Sequence, residues 1–205
     1  MQNYFIYGSA EIAHLKNRDQ ILGKAIEKIG PIKRETNPDL FSSLIHSIVG
    51  QQISRKAHAT VWQRMLDGLG QVTAQSILNC SQDKLQSYGI SFRKADYIHG
   101  AAQAVADGTL KISDFPKMSD EEIINELVKL NGIGVWTAEM LLLFSLQRPN
   151  ILSYKDLGIV NGIKILYGYD ELKKNTFEQL RQRYSPYCSV ASLYLWVIAA
   201  GALEE

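Results

Sequence analysis

Two cysteines, Cys80 and Cys188, are all that this 205-residue sequence contains. Two thiols cannot supply the four ligands of an iron–sulfur cluster. A disulfide between them is possible, but nothing in the sequence demands one. We therefore expect two free thiols in a reducing compartment.

The sequence also lacks an apolar run of membrane-spanning length and a basic-then-apolar leader. Neither sign of charge predominates, because 22 Lys and Arg residues are balanced by 21 Asp and Glu residues, and the net charge is +1. This balance does not indicate a nucleic-acid binder, although a local basic patch fits within a neutral total. We expect a soluble intracellular protein. Basic pairs such as Arg93-Lys94 are either phosphate contacts or solvated surface, and the four histidines show no metal-ligand spacing.

Low-complexity segments, fixed repeats and strong strand alternation are missing as well, and the pattern that remains is helical. Four helix starts carry capping signals. They are Asn37-Pro38-Asp39, Ser54, Ser91, and Ser119 with Glu122 in a capping box. The segment around Pro116 is predicted to be a loop. The expected class is all-α.

The stretch LNGIGVWTAEM, residues 130–140, breaks a helix and restarts it at once. Glycine takes positive φ without steric cost, so Gly132 and Gly134 permit a tight reversal. The N–H groups that open the second helix lack acceptors and carry the positive end of the helix dipole, which suits a phosphate. On these residues alone, a plain connector between two helices explains the pattern as well.

The wider sequence resembles the helix–hairpin–helix DNA glycosylase superfamily, and within it the 3-methyladenine DNA glycosylase II branch. The segments that carry the resemblance, over roughly residues 10–203, are SIVGQQIS, GISFRKADYI, LNGIGVWTAEMLLLFSL with the following KDLG, and YSPYCSVASLYLW. It implies an all-α helix–hairpin–helix glycosylase fold with two helical lobes around a DNA-binding cleft. Lobe one would cover about residues 38–148, with the hairpin at 130–134, and lobe two residues 1–37 and 149–205. The chain is too short for the N-terminal mixed α/β domain of larger bacterial relatives.

The resemblance assigns the hairpin to the DNA backbone. It implies that the main-chain amides of Gly132, Gly134 and Thr137 bind a phosphate. It also implies a structural sodium or potassium ion on main-chain carbonyls, although the chemistry needs no cofactor. Those carbonyls belong to Val128, Leu130 and Ile133.

The same resemblance makes Asp156 the catalytic group. A carboxylate beneath the deoxyribose can stabilise an oxocarbenium-like transition state and activate water. Local sequence also predicts that Asp156 caps the helix after it, and the two roles can coexist. Lyase-active relatives have a lysine where this chain has Trp136, which indicates a monofunctional enzyme. Lys155 and Cys188 depart from the family pattern, which more often has acid and arginine there.

The remaining site residues follow from the resemblance too. Gln52 would enter the gap left by an extruded base, although a polar residue after a helix is ordinary. The base pocket would be aromatic, since an aromatic face attracts an alkylated, cationic base. Its predicted residues are Trp136 and Trp196, with Tyr187 and Met140 as weaker candidates. The alternative for both tryptophans is a place in the helix core.

The implied function is a monofunctional DNA glycosylase for alkylated purines such as 3-methyladenine and 7-methylguanine. The expected partner is damaged double-stranded DNA, bound by a monomer without membrane association, in the cytoplasm or nucleoid of a prokaryote or the nucleus of a eukaryote. A second enzyme hypothesis is a glycosylase whose substrate is an oxidised or deaminated base. A non-catalytic helix–hairpin–helix DNA-binding module is the alternative from another class, and Asp156 and the GQQIS loop argue against it.

Overall fold

The computed structural model describes residues 3–203 of the chain. The chain divides into two compact units. The first comprises Met1–Thr36 and Leu142–Glu205, and the second is Asn37–Leu141. Both are built almost entirely from helices, which confirms the all-α prediction. No helix among the described residues is long and apolar enough to cross a membrane.

The first unit joins the beginning of the chain to its end. Its elements are β1 (Asn3–Tyr4), α1 (Ser9–Arg18), α2 (Gln20–Ile29), β2 (Glu35–Thr36), α10 (Leu157–Tyr167), α11 (Lys174–Tyr184) and α12 (Cys188–Ala199). The two strands form an antiparallel ribbon with Tyr4 opposite Glu35. Phe5 extends it, since its amide donates to the Arg34 carbonyl at 2.8 Å.

Close packing of α10 on α12 forms the centre of this unit. A Cβ atom on Gly162 would lie 2.2 Å from the carbonyl oxygen of Leu195, so the two backbones approach as only glycine permits. Every residue of α12 from Cys188 to Leu195 is buried. The backbone of this helix is therefore held firmly where it carries Trp196.

A polar cluster around the buried Asp19 links α2, α10 and α11. Asp19 caps α2 and accepts hydrogen bonds from the Tyr167 hydroxyl and the Arg183 guanidinium, each at 2.7 Å. Tyr167 also shares a 2.6 Å hydrogen bond with Tyr184. Burial raises the pKa of Asp19, but hydrogen bonds from Leu22, Tyr167 and Arg183 outweigh it, and the net pKa is lowered.

The second unit is a helical array around α7. Its elements are α3 (Leu40–Gly50), α4 (Arg55–Leu69), α5 (Ala74–Leu78), α6 (Gln82–Ser87), α7 (Phe92–Ala106), a 3₁₀ helix (Ile112–Lys117) and α8 (Asp120–Leu127). Helix α7 packs against α3, α5 and α6. Helix α9 (Val135–Phe144) follows α8 and contains the boundary between the units, after Leu141.

All four predicted capping signals are confirmed. Asp39, Ser54 and Ser91 each accept a hydrogen bond from a first-turn amide, and Ser119 with Glu122 forms the reciprocal box. The prediction of a loop around Pro116 was wrong. The segment is a 3₁₀ helix that contains Pro116, with Phe115 buried in the core. A 3₁₀ helix accommodates the proline because the φ of about −65° that the ring imposes lies within the 3₁₀ range.

Candidate active site

The corner between α8 and α9 depends on one glycine rather than two. Gly132 has φ +84, and a Cβ atom there would lie 2.3 Å from the Tyr97 ring. Gly134 does not use positive φ, and a Cβ atom placed on it would meet no atom within 4 Å. The prediction that glycine conformation makes the reversal is therefore right for Gly132. At Gly134 the missing side chain leaves open space beside the start of α9.

Helix α9 begins at this open space. Gly134, Val135 and Trp136 are exposed, with Trp136 at 43%, whereas Thr137 is buried. The amide of Ala138 donates to the Gly134 carbonyl at 3.1 Å. The amides before it lie at the positive end of the helix dipole. This is the geometry that an anion such as a phosphate uses.

The carbonyls predicted to hold a cation lie where α8 ends. Val128 is its C-cap, and the Leu130 carbonyl accepts the Ile133 amide at 3.1 Å. A carbonyl oxygen has two lone pairs, so this bond leaves Leu130 able to contact an ion. Among residues 3–203, no group of three His, Cys, Asp or Glu side chains could hold a metal.

Gln52 lies on the short loop between α3 and α4, in the same unit as the hairpin. It is exposed and has φ +57, an uncommon conformation for a residue with a side chain. Its neighbour Gln51 is half-buried, and its side-chain amide donates to the Gly132 carbonyl at 2.7 Å. Met140, a weaker pocket candidate, is half-buried within α9.

Asp156, in the first unit, is 7% exposed and caps α10. Its Oδ1 accepts the Ile159 amide at 3.0 Å and the indole Nε1 of Trp196 at 2.9 Å. The capping prediction is thus confirmed, and the same oxygen makes a second bond that no cap requires. The two donors hold the carboxylate in one orientation, as a group that stabilises developing positive charge needs to be held.

Gly158 allows this contact. A Cβ atom on it would lie 2.7 Å from Trp196 Cδ1 and 3.1 Å from Asp156 Oδ1. Any larger residue would therefore push the indole away from the carboxylate. Sequence analysis did not single out Gly158, although a glycine in the first turn of an apolar helix was the available signal.

Two further residues surround Trp196. Phe144 stacks on the indole, with ring centroids 5.5 Å apart and an interplanar angle of 24°. The Arg34 guanidinium lies 4.9 Å from the Phe144 ring and 5.9 Å from the Trp196 ring. These distances suit cation–π attraction between Arg34 and the two rings. No local pattern in the sequence indicated either residue.

The other predicted or questioned positions of this unit differ in exposure. Tyr187 is half-buried at the start of α12, edge-on to His14 with centroids 5.1 Å apart. Lys155 is exposed. Cys188 is fully buried and donates to the Arg181 carbonyl at 3.3 Å, and burial raises the pKa of its thiol to about 12. Cysteine at this position therefore packs as a small buried side chain, where an arginine would face an apolar interior.

Residues 45–186 match the family described as HhH-GPD superfamily base excision DNA repair protein. The crystal structure of a DNA-3-methyladenine glycosidase from Bacillus halodurans is similar, with a TM-score of 0.90 and 34% identity over 99% of this chain and 95% of that one. The Schizosaccharomyces pombe 3-methyladenine DNA glycosylase Mag1, in complex with abasic DNA, has a TM-score of 0.79 and 27% identity over 92% of this chain and 95% of that one.

A shorter match is YfjP of Bacillus subtilis, which is 31% identical over 77% of this chain. The chain spans 58% of YfjP's own length. The family match covers more than half of the chain and agrees with the motifs read from it. The chain therefore belongs to the HhH-GPD superfamily of base excision DNA repair proteins, as its sequence predicted.

Proposed function

We propose that this protein is a monofunctional DNA glycosylase that hydrolyses the N-glycosidic bond of alkylated purines in double-stranded DNA. The observation that carries the proposal is the buried Asp156 carboxylate, oriented by two donors at the start of α10. A helix cap needs only the Ile159 amide. The second donor, from an indole 40 residues away, fixes the rotation of the carboxylate, as charge stabilisation requires.

The proposed reaction breaks the bond between C1′ of the deoxyribose and the purine nitrogen. The electron pair leaves with the base, which is a good leaving group because alkylation has made it cationic. Positive charge grows on the sugar, and Asp156 stabilises it. Water then attacks C1′ and loses a proton to Asp156, which leaves an abasic site and the free base.

DNA binding would precede this step. The base is not accessible inside a duplex, so its nucleotide must rotate out of the stack. We assign the grip on the strand to the amides of Gly132, Gly134 and Thr137, and the filling of the gap to Gln52. A sodium or potassium ion on the carbonyls of Val128, Leu130 and Ile133 would screen their negative ends next to that phosphate.

An aromatic pocket favours alkylated purines over neutral lesions. A cation gains about 0.5–2 kcal/mol on an aromatic face. Trp196 lies within cation–π distance of the Arg34 guanidinium, and we propose that an alkylated base interacts with the ring in the same manner. On the family resemblance alone, we propose Trp136, Tyr187 and Met140 as further residues that contact the base.

All of these groups belong to one chain, which supports action as a monomer. The substrate places the protein in the compartment that holds DNA, and nothing in the proposed chemistry needs a membrane. The relatives named as 3-methyladenine enzymes support the lesion class.

A base-release panel tests the proposal. Matched duplexes carry 3-methyladenine, 7-methylguanine, hypoxanthine, 1,N6-ethenoadenine or 8-oxoguanine at one position, and free base is measured under single-turnover conditions. We expect release of the two methylated purines well above the others. Release confined to hypoxanthine or 8-oxoguanine would overturn the lesion class, and binding without any release would make the protein a DNA-binding module.

Borohydride reduction tests the monofunctional assignment. A lyase forms a Schiff base between an amine and C1′, and reduction turns it into a permanent protein–DNA bond. Trp136 occupies the position of the lysine in lyase-active relatives, so we expect no trapped complex. Trapping that Lys155→Gln abolished would instead make the exposed Lys155 a nucleophile.

A further inference from the structure

The loop that joins α3 to α4, residues 51–54, has an unusual backbone. Gln52 has φ +57, a conformation that side chains with a Cβ atom rarely adopt. Such a conformation persists when surrounding contacts determine it. The helix before the loop ends at Gly50, where a Cβ atom would lie 2.6 Å from the His58 ring. We call this segment the plug loop, and we expect contacts with neighbouring residues to hold its backbone conformation.

Lys94 provides one constraint. Its ammonium reaches from α7 and donates to the carbonyls of Val49 at 2.8 Å and Gln51 at 2.6 Å. These carbonyls lie at the end of α3, where main-chain acceptors have no partner within the helix and a positive charge is favoured. The sequence left Lys94 as either a phosphate contact or a solvated surface residue. In the structure its charge is engaged with the backbone of the plug loop, and the side chain is half-buried.

Gln51 provides the second constraint. Its side-chain amide donates to the carbonyl of Gly132 at 2.7 Å, across 81 residues of sequence. Gly132 is the corner of the hairpin. One hydrogen bond thus connects the segment proposed to grip a phosphate with the segment proposed to fill the vacated stack.

We infer that Gln51 and Lys94 are positioning residues that hold Gln52 at a fixed offset from the hairpin, so that gripping the phosphate also places the plug. This inference rests on the proposed function. Removing either side chain leaves the hairpin amides intact. The loss of either side chain frees the plug loop to relax towards ordinary φ values. General DNA binding therefore survives, while the state with the nucleotide rotated out of the stack is lost.

Isosteric variants test the inference. Gln51→Met and Lys94→Met keep side-chain length and remove the donors, and Arg93→Met is the matched control for loss of one neighbouring positive charge. Three quantities are measured: affinity for undamaged duplex against salt concentration, fluorescence of a 2-aminopurine beside a tetrahydrofuran abasic site, and single-turnover base release. Thermal unfolding confirms that each variant is folded.

We expect both variants to lose at least half of the 2-aminopurine response at saturating protein. Base release should fall about tenfold, the equivalent of roughly one net hydrogen bond. The salt dependence of binding to undamaged duplex should match the wild type for Lys94→Met. Lys94→Arg, which keeps a cation able to reach both carbonyls, should recover most of the fluorescence response. Arg93→Met should keep that response in full.

Two results would overturn the inference. A salt slope that falls by about 0.9 in Lys94→Met would make Lys94 a phosphate contact. Fluorescence and base release within twofold of wild type in Gln51→Met would remove the coupling to the hairpin. The fluorescence measurement uses abasic DNA and needs no catalysis, so it tests the coupling even if the wild type releases no base and the proposed function fails.

Discussion

Replacing Asp156 with asparagine isolates the charge of the proposed catalytic group. An asparagine side-chain oxygen can still accept from the Ile159 amide and from Trp196 Nε1, as Asp156 does at 3.0 and 2.9 Å. Asparagine is also about as good a helix cap as aspartate. The substitution should therefore keep the structure and remove one negative charge.

The size of the effect follows from Coulomb attraction. A unit positive charge about 4 Å from a carboxylate gains about 4 kcal/mol at the effective dielectric constant of about 20 that suits partly buried sites. Removing one preorganised electrostatic partner from an active site costs about 2.7–4 kcal/mol. Since about 1.4 kcal/mol corresponds to a factor of ten, Asp156→Asn should slow base release by about 10² to 10³.

Single-turnover release of 7-methylguanine from duplex DNA measures this, with protein in excess so that product release does not limit the rate. Asp39→Asn is the matched control, because Asp39 also caps a helix and accepts the Ser42 amide at 2.9 Å. It should keep the wild-type rate. Melting temperatures of both variants should lie within a few degrees of wild type, since about 1 kcal/mol shifts a chain of this size by about 2–4 °C.

A rate for Asp156→Asn within threefold of wild type would refute this reasoning. Asp156 would then be a helix cap alone, and charge stabilisation would have to come from elsewhere. A large loss of melting temperature together with a loss of rate would not count in favour of catalysis. The comparison with Asp39→Asn distinguishes a loss of catalysis from a loss of folding stability.

Three other perturbations follow from the geometry. Trp196→Phe keeps an aromatic ring, though a smaller one, and removes the donor to Asp156. The base-release rate should fall about tenfold or more with little change in affinity for abasic DNA, and an unchanged rate would contradict the positioning of the carboxylate. Gly132→Ala should destabilise the protein because Gly132 has a positive φ. Gly134→Ala should leave urea unfolding unchanged and weaken DNA binding. Equal effects of the two substitutions on urea unfolding would contradict the open space at Gly134. Burial and the nearby His58 charge lower the pKa of His46 to about 4. Between pH 6.5 and 4 the unfolded chain takes up a proton that the folded one does not, so the free energy of unfolding should fall by about 1 kcal/mol from pH 7.5 to 5, and His46→Phe should lessen that fall.

The helix starts were predictable because capping is local. Ser54, Ser91 and Ser119 each accept a hydrogen bond from an amide three residues ahead, so both partners lie within one short stretch of sequence. The 3₁₀ helix was missed because a proline normally indicates a loop, although the φ that proline imposes also fits a 3₁₀ turn. Helices α1 and α2 were not singled out, because no motif of the family falls on them.

Contacts between distant residues could not be predicted in this way. Trp196 meets Asp156 across 40 residues, and the approach depends on the missing Cβ atom of Gly158. Lys94 reads as a surface cation, and only the structure shows its bonds to the end of α3. The sequence specifies which donors and acceptors exist but not which of them meet.

By itself, the sequence determined the helical class, the caps and the glycine corner, since each depends on the conformational preferences of adjacent residues. It also carried the family, because the motifs lie in order along the chain. Only the tertiary structure decided that one oxygen of Asp156 is bonded to an indole, and that Gln51 joins the plug loop to the hairpin. Those bonds depend on packing helices that are far apart in sequence, and packing is settled by the shapes of all the side chains together.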